Sequence, residues 1–343
     1  MDHQTPLIEL RDISKRFVKE LDLAAKLARK LGASVRKEVV HAVDRVSLGV
    51  AKGEVVGLVG ESGCGKSTLG RIVAGLIEPS QGSVFYAGRD TSSMVGGEAK
   101  ETALKIQMIF QDPFSSLNPR LRVREIIGEA PRVHGIVKPS DLDDYLDGLM
   151  LRCGLDPSYK PRYPHQFSGG QRQRIAIVRA LAVKPEFIVC DEMVSALDVS
   201  IQAQILNLFT DLRRDFGLTS IFISHNLEVV EHVSDRVAIM YLGRIVEQAA
   251  TEEIFDSPLH PYTQALLREV PSLEKRRMDF TPIKGEVPSP LDPPPGCHFH
   301  PRCLFAMDRC NKEQPLFQEV KPNHFVACHR PDPGGLKSRG PRQ

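Results

Sequence analysis

The chain has 343 residues, long enough for a large core and about two or three subdomains. Its 45 Lys+Arg stand against 43 Asp+Glu, a balance that gives no reason to expect a nucleic-acid partner. No run of about 18 apolar residues occurs, so no membrane-spanning helix is expected and a cytosolic chain is, one that can still bind a membrane complex.

The opening stretch, MDHQTPLIELRDISKRFVKE, carries charges throughout and has no apolar core, so no signal peptide is expected. Residues 18–38, VKELDLAAKLARKLGASVRKE, read as a helix inserted between N-terminal strands. Leu23, Leu27 and Leu31 share a stripe with basic residues around it. Such a helix either meets a partner or anionic lipid, or is a solvated insertion.

From residue 40 to about 270, short apolar strands alternate with longer helical segments, an α/β pattern. EVVGLVG (54–60) reads as a buried strand. After it, Leu69, Ile72, Val73, Leu76 and Ile77 fall on one helical face. Between them lies GESGCGKST (60–68), which fits G-x-x-x-x-G-K-[ST] in the strand–loop–helix setting that the motif needs. Gly60, Gly63 and Gly65 permit backbone shapes that side chains would block. Successive N–H groups of Glu61, Ser62, Cys64 and their neighbours through Thr68 can then face phosphate oxygens at a helix N-terminus. Lys66 supplies a point charge for the β- and γ-phosphates, and the Ser67 hydroxyl can coordinate Mg²⁺.

FIVCDE (187–192) and SIFISH (220–225) are two further apolar strands that end in polar residues. Asp191 suits Mg²⁺ binding, and Glu192 at the same strand mouth can polarise a water for attack on a γ-phosphate. Two adjacent carboxylates ending an apolar strand are costly without a cation. FSGGQRQR (167–174) opens another predicted helix with a second anion-binding terminus. One nucleotide on one chain has no use for two such sites; two chains facing head to tail use both.

In chain order stand GESGCGKST, FQDPFSSLNP around Gln111, FSGGQ, FIVCDE, SALD (195–198) and FISH ending at His225. This set resembles the nucleotide-binding subunits of ABC transporters. The resemblance implies a P-loop NTPase (RecA-like) core over residues 1–270 with a helical signature subdomain at about 112–180. It implies an ATPase that binds ATP and Mg²⁺. Glu192 would be its water-positioning base, Gln111 would reach Mg²⁺ and the attacking water, and His225 would contact the γ-phosphate and hold Glu192. Phe17 in ISKRF resembles the aromatic that stacks on adenine. Ser168, Gly169, Gly170 and Gln171, with Asp198, would meet the nucleotide of a partner cassette. One departure is Met193, where the family usually has proline; the turn there is expected to be slightly freer.

DEMVSALDVSIQAQ, SDRVAIMYLGRIVE and SPLHPYTQALL (257–267) are similar to the ATPases of oligopeptide/dipeptide importers. The implied assembly has this chain and a second, homologous ATPase at the cytoplasmic face of the inner membrane. Two permeases and an outside solute-binding protein complete it, with no nucleic acid. Export ATPases and non-transport ABC proteins share the ATPase motifs and are the competing classes. The non-transport proteins usually carry two cassettes or a long coiled coil, and this chain has neither.

Past about residue 271 the composition changes. VPSPLDPPPG (287–296) reads as an extended linker, and PGGLKSRGPRQ (333–343) as a disordered tail. Between them Cys297, Cys303, Cys310 and Cys328 are spaced C-x5-C-x6-C-x17-C, giving a small Cys-rich extension over 271–332. Cytosol disfavours disulfides. Four thiolates suit either [4Fe–4S] or tetrahedral Zn²⁺. The segment GCHFHPRC is similar to the importer tails in which four cysteines hold an iron–sulfur cluster. His298, His300, His324 and His329 read as solvated side chains rather than ligands.

Overall fold

A computed structural model of the chain describes residues 5–18, 38–269 and 285–330. Nearly all of the inserted segment 18–38, and the tail 333–343, lie outside these residues.

The strands in chain order are β1 (Ile8–Val18), β2 (Val39–Val50), β3 (Val55–Val59), β4 (Gln81–Tyr86) and β5 (Arg89–Asp90). They continue with β6 (Ile106–Ile109), β7 (Phe187–Asp191), β8 (Thr219–Ser224), β9 (Arg236–Tyr241), β10 (Arg244–Ala250), β11 (Gln318–Lys321) and β12 (His324–Val326). They form an antiparallel sheet, β2-β1-β4-β5, and a larger sheet, β11-β12-β10-β9-β3-β8-β7-β6. In the larger sheet β6, β7, β8, β3 and β9 run parallel, while β10, β12 and β11 add antiparallel strands at one side.

The apolar runs in the sequence follow from burial on both faces of the parallel core. Val55 and Val59 join the core on the helical side, while Val56 and Leu58 join the core shared by the two sheets. β7 divides the same way, with Ile188 and Cys190 on one side and Phe187 and Val189 on the other. The helix after the phosphate loop, Lys66–Val73, is shorter than the periodicity predicts. Gly75, at φ 68°, lies just past its end. Leu69, Ile72 and Val73 reach the core between the sheets, but Leu76 is left 54% exposed.

Helices Val123–Val133, Leu142–Arg152 and Gly169–Leu181 form the helical region between β6 and β7. Val123, Ile127, Leu146, Met150, Ile175 and Val178 fill it.

The C-terminal segment 285–330 does not stand apart from the core. β12 pairs with β10, matching Val326 to Glu247, and β11 pairs with β12. Glu247 is fully buried; it accepts N–H bonds from Leu259 (2.6 Å) and His260 (3.0 Å), and its Oε1 lies 2.8 Å from His324 Nε2. A buried carboxylate needs such partners, because desolvation alone would expel it.

The expectation of solvated histidines is corrected for two of the four. His298 and His324 are buried, at 8% and 1% exposure. His298 Nδ1 lies 3.2 Å from the Leu242 carbonyl, and burial pushes its pKa down to about 4. Polar composition misled here: each ring is placed by a partner more than fifty residues away in sequence.

Candidate active site

The C-terminal ends of parallel strands are where α/β sheets collect their polar groups, and β3, β6, β7 and β8 do so here. The phosphate loop leaves β3 and turns into the helix at Lys66 through Gly65, whose φ is 106°. A Cβ on Gly65 would fall 2.0 Å from the Ala42 carbonyl oxygen, and one on Gly60 would fall 2.1 Å from that of Met240. The loop is thus pressed between β2 and β9. Lys66 is buried, and its Nζ donates to the carbonyls of Gly60 (2.7 Å) and Glu61 (2.9 Å). Cys64 is buried beside it, and burial pushes its thiol pKa up, which makes it inert. The Ser67 hydroxyl donates to Asp191 Oδ1 at 2.8 Å. Asp191 is 3% exposed; burial raises its pKa, opposed by the Ser67 hydrogen bond. A hydroxyl and a carboxylate in contact are hard oxygen donors of the kind Mg²⁺ takes.

Glu192 follows at the end of β7. Its Oε2 accepts from Gln111 Nε2 at 2.7 Å, and His225 Nδ1 lies 3.3 Å from its Oε1. Three expected residues from the ends of β6, β7 and β8 therefore meet at one carboxylate. Glu192 has φ 46°, a left-handed shape that costs a non-glycine residue roughly 1–3 kcal/mol. Its N–H donates to the Ile223 carbonyl (3.0 Å), and its carbonyl accepts from the Ser195 N–H (3.1 Å) and Oγ (2.9 Å). Met193 is 1% exposed and packed in the core. The turn expected to be freer is therefore held by packing and hydrogen bonds in place of a proline ring.

Phe17 lies on β1 and is 42% exposed, with Lys15 Nζ 5.2 Å from its ring centre. It pairs with Val40 on β2, two residues before the Ala42 carbonyl that abuts Gly65.

The signature residues go elsewhere. Ser168 caps helix Gly169–Leu181, its hydroxyl accepting from the Gln171 N–H and its N–H donating to Gln171 Oε1. A Cβ on Gly170 would fall 2.5 Å from Ile201 Cγ2, so a larger residue there would have to push that side chain aside. Ser168 and Asp198 are exposed. Among the described residues, no hydrogen bond joins Ser168–Gln171 or Asp198 to the phosphate loop.

Two residues that the sequence did not single out touch the loop from behind. Arg302 pairs bidentately with Glu61, Nη1–Oε2 2.7 Å and Nη2–Oε1 2.9 Å, and the Tyr262 hydroxyl accepts the Glu61 N–H at 3.0 Å. The signals were present, an arginine inside HPRC and a tyrosine inside HPY, but nothing local tells what they bind.

Cys297, Cys303, Cys310 and Cys328 line one cavity together with His260, His300 and His329. Backbone N–H groups face the sulfurs: Phe305 to Cys303, Met307 to Cys310 and Arg330 to Cys328, each at 3.4 Å. Those of Phe299 and His300 face Cys297. Burial pushes the thiol pKa of Cys297 up to about 11 and that of Cys328 up to about 12. Among the described residues no three His, Cys, Asp or Glu side chains are drawn in to metal-binding distance. Four thiols and the N–H groups around them are donors of the kind a four-thiolate site uses.

The ABC transporter family model matches residues 43–195, and the oligopeptide/dipeptide transporter C-terminal region matches residues 246–310. The oligopeptide transport ATP-binding protein AppF of Bacillus subtilis is 49% identical over 331 residues, covering 95% of this chain and 98% of that protein. The chain belongs to the ABC transporter ATP-binding family. This ABC ATPase is also 44% identical over 328 residues to a putative peptide import ATP-binding protein of Brucella ovis, covering 95% and 98% of the two chains. Among solved structures, it resembles the ATP-binding cassette MJ0796 in a dimeric post-hydrolysis state bound to ADP and phosphate. That match has a TM-score of 0.60 and 26% identity, over 71% of this chain and 98% of that one. Family membership makes the protein a P-loop ATPase whose substrate is ATP with Mg²⁺. The family's C-terminal region stops at residue 310, short of Cys328, and its match says nothing of a cluster.

Proposed function

We propose that this ABC ATPase energises the import of peptides or related small solutes, paired with a second ATPase beneath two permeases at the cytoplasmic side of a membrane. The relatives' names support the cargo. The observation that carries the chemistry is the meeting of Gln111, Glu192 and His225 beside the Ser67–Asp191 contact.

In this reading Lys66 exchanges the carbonyls of Gly60 and Glu61 for the β- and γ-phosphates, and the loop N–H groups hold the rest. Ser67, Asp191 and Gln111 would hold Mg²⁺, which when bound neutralises charge on the phosphate oxygens. Glu192 orients a water for in-line attack and takes its proton on a carboxylate oxygen. His225 and Gln111 fix that carboxylate. Ser168, Gly169, Gly170, Gln171 and Asp198 meet the γ-phosphate bound to the partner cassette. The dimeric state of MJ0796 supports this pairing. ATP drives closure because the γ-phosphate touches the partner's signature only in the closed dimer, and a ligand shifts an equilibrium only by binding one state better.

The four cysteine thiols would hold a [4Fe–4S] cluster, with Zn²⁺ as the competing occupant. Backbone N–H donors aimed at the sulfurs stabilise thiolates and tune such clusters. When bound, the metal group would staple a proline-rich segment that has little core of its own. Protein purified without oxygen should carry about four irons per chain and absorb broadly near 400 nm. One zinc per chain and no iron would replace the cluster with zinc.

The central test is Glu192→Gln. ATP binding should persist while turnover falls by about 10²–10⁴-fold, the weight of a general base. Closed dimers should accumulate in gel filtration with ATP. Wild-type turnover would remove Glu192 from the mechanism. Capture from membranes should bring permeases; ribosomes in their place would favour a non-transport role.

A further inference from the structure

We propose that Arg302 is a positioning residue of the phosphate loop, so that the cysteine-bearing C-terminal segment helps to set the affinity for ATP. Glu61, the second residue of the loop, has three groups held at once. Its N–H donates to Tyr262 Oη at 3.0 Å, its carbonyl accepts from Lys66 Nζ at 2.9 Å, and its carboxylate takes both Nη groups of Arg302. The lysine that meets the phosphates is thus one residue removed from an ion pair with the C-terminal segment.

The far side of that pair is buried and closely packed. The Arg302 side chain is 5% exposed, against 22% for Glu61. Its Nη1 also lies 3.4 Å from Tyr241 Oη, at the end of β9. Tyr241, Tyr262 and Phe299 pack as a ring cluster with centroids 4.7–5.3 Å apart. Phe299 directly precedes the turn His300–Arg302, and Cys303 directly follows it. Any shift of the cysteine segment therefore pulls on the guanidinium, and through it on Glu61. A planar two-pronged pair fixes orientation as well as distance, which a single ammonium cannot do. A loop fixed from behind before ATP arrives has less ordering left to do on binding.

The competing account is that Arg302 only anchors the C-terminal segment and Glu61 is a passive post. The two differ in what the loop side of the pair does to ATP. The proposal rests on ATP binding alone and not on cargo, dimer or metal content. The full chain would be titrated with a fluorescent ATP analogue and Mg²⁺, and melted without nucleotide. Glu61→Gln and Arg302→Gln should each raise the ATP Kd about tenfold, within the range of a charge-assisted pair. The double variant should be no weaker than the worse single, and Arg302→Lys should recover part of the loss. An ATP Kd within twofold of wild type in Glu61→Gln, or single effects that multiply in the double, would overturn the proposal. Should Arg302→Gln fail to fold, Glu61→Gln decides alone, since its side chain keeps its shape at a partly exposed position.

Discussion

At Gly65 a single methyl group is enough to test the phosphate loop. The position combines φ of 106° with a backbone oxygen 2.0 Å from where a Cβ would sit. Backbone strain alone costs about 1–3 kcal/mol, and the clash must also push Ala42 or the loop aside. Gly65→Ala should therefore lower ATP affinity at least about tenfold in direct titration; binding equal to wild type would mean that the loop can re-form around the added carbon. The residues of this site were legible because phosphate chemistry dictates both type and spacing: glycine where a side chain clashes, lysine and serine at the helix start, carboxylates at a strand mouth. Arg302 and Tyr262 were not legible, because their partner Glu61 lies 241 and 201 residues away. No periodicity or motif reports a contact over that distance.

Among the elements, β3, β7 and β8 were readable since both faces of each are buried and the apolar run is unbroken. The proline-rich composition hid that the C-terminal segment completes the main sheet. β12 has only three residues, too few for an alternating pattern to register. This join also contains a titratable weak point, His260. It is 1% exposed, and its Nδ1 accepts the Tyr262 N–H at 3.0 Å. Burial pushes its pKa down to about 4, against an ordinary 6.5. Between those values the unfolded chain binds a proton that the folded chain refuses, so stability rises with pH across that window and is lost as pH falls through it. The loss should reach up to roughly 3 kcal/mol near pH 4. Urea midpoints measured at pH 7, 5.5 and 4.5 should fall more steeply for wild type than for His260→Gln. Parallel curves would mean that His260 protonates in the folded state without cost.

For the whole molecule, the decisive feature is a division of labour inside one chain. The phosphate loop, Asp191 and Glu192 converge, while among the described residues no hydrogen bond joins them to the helix start at Ser168. In the shared site proposed above, the two halves serve different nucleotides. The two halves should then fail differently. Ser168→Arg places a bulky cation on an exposed position and removes a helix cap worth about 1 kcal/mol. The isolated variant should bind ATP within about twofold of wild type, because its own phosphate loop is untouched. Turnover in the assembled pair of ATPases should fall by about 10²-fold or more, since the partner's nucleotide loses its closing donor. Lys66→Ala should do the reverse and lose ATP binding in the isolated chain. If Ser168→Arg weakened ATP binding as much as Lys66→Ala does, signature and loop would serve the same nucleotide within one chain, and no second cassette would be needed for the chemistry.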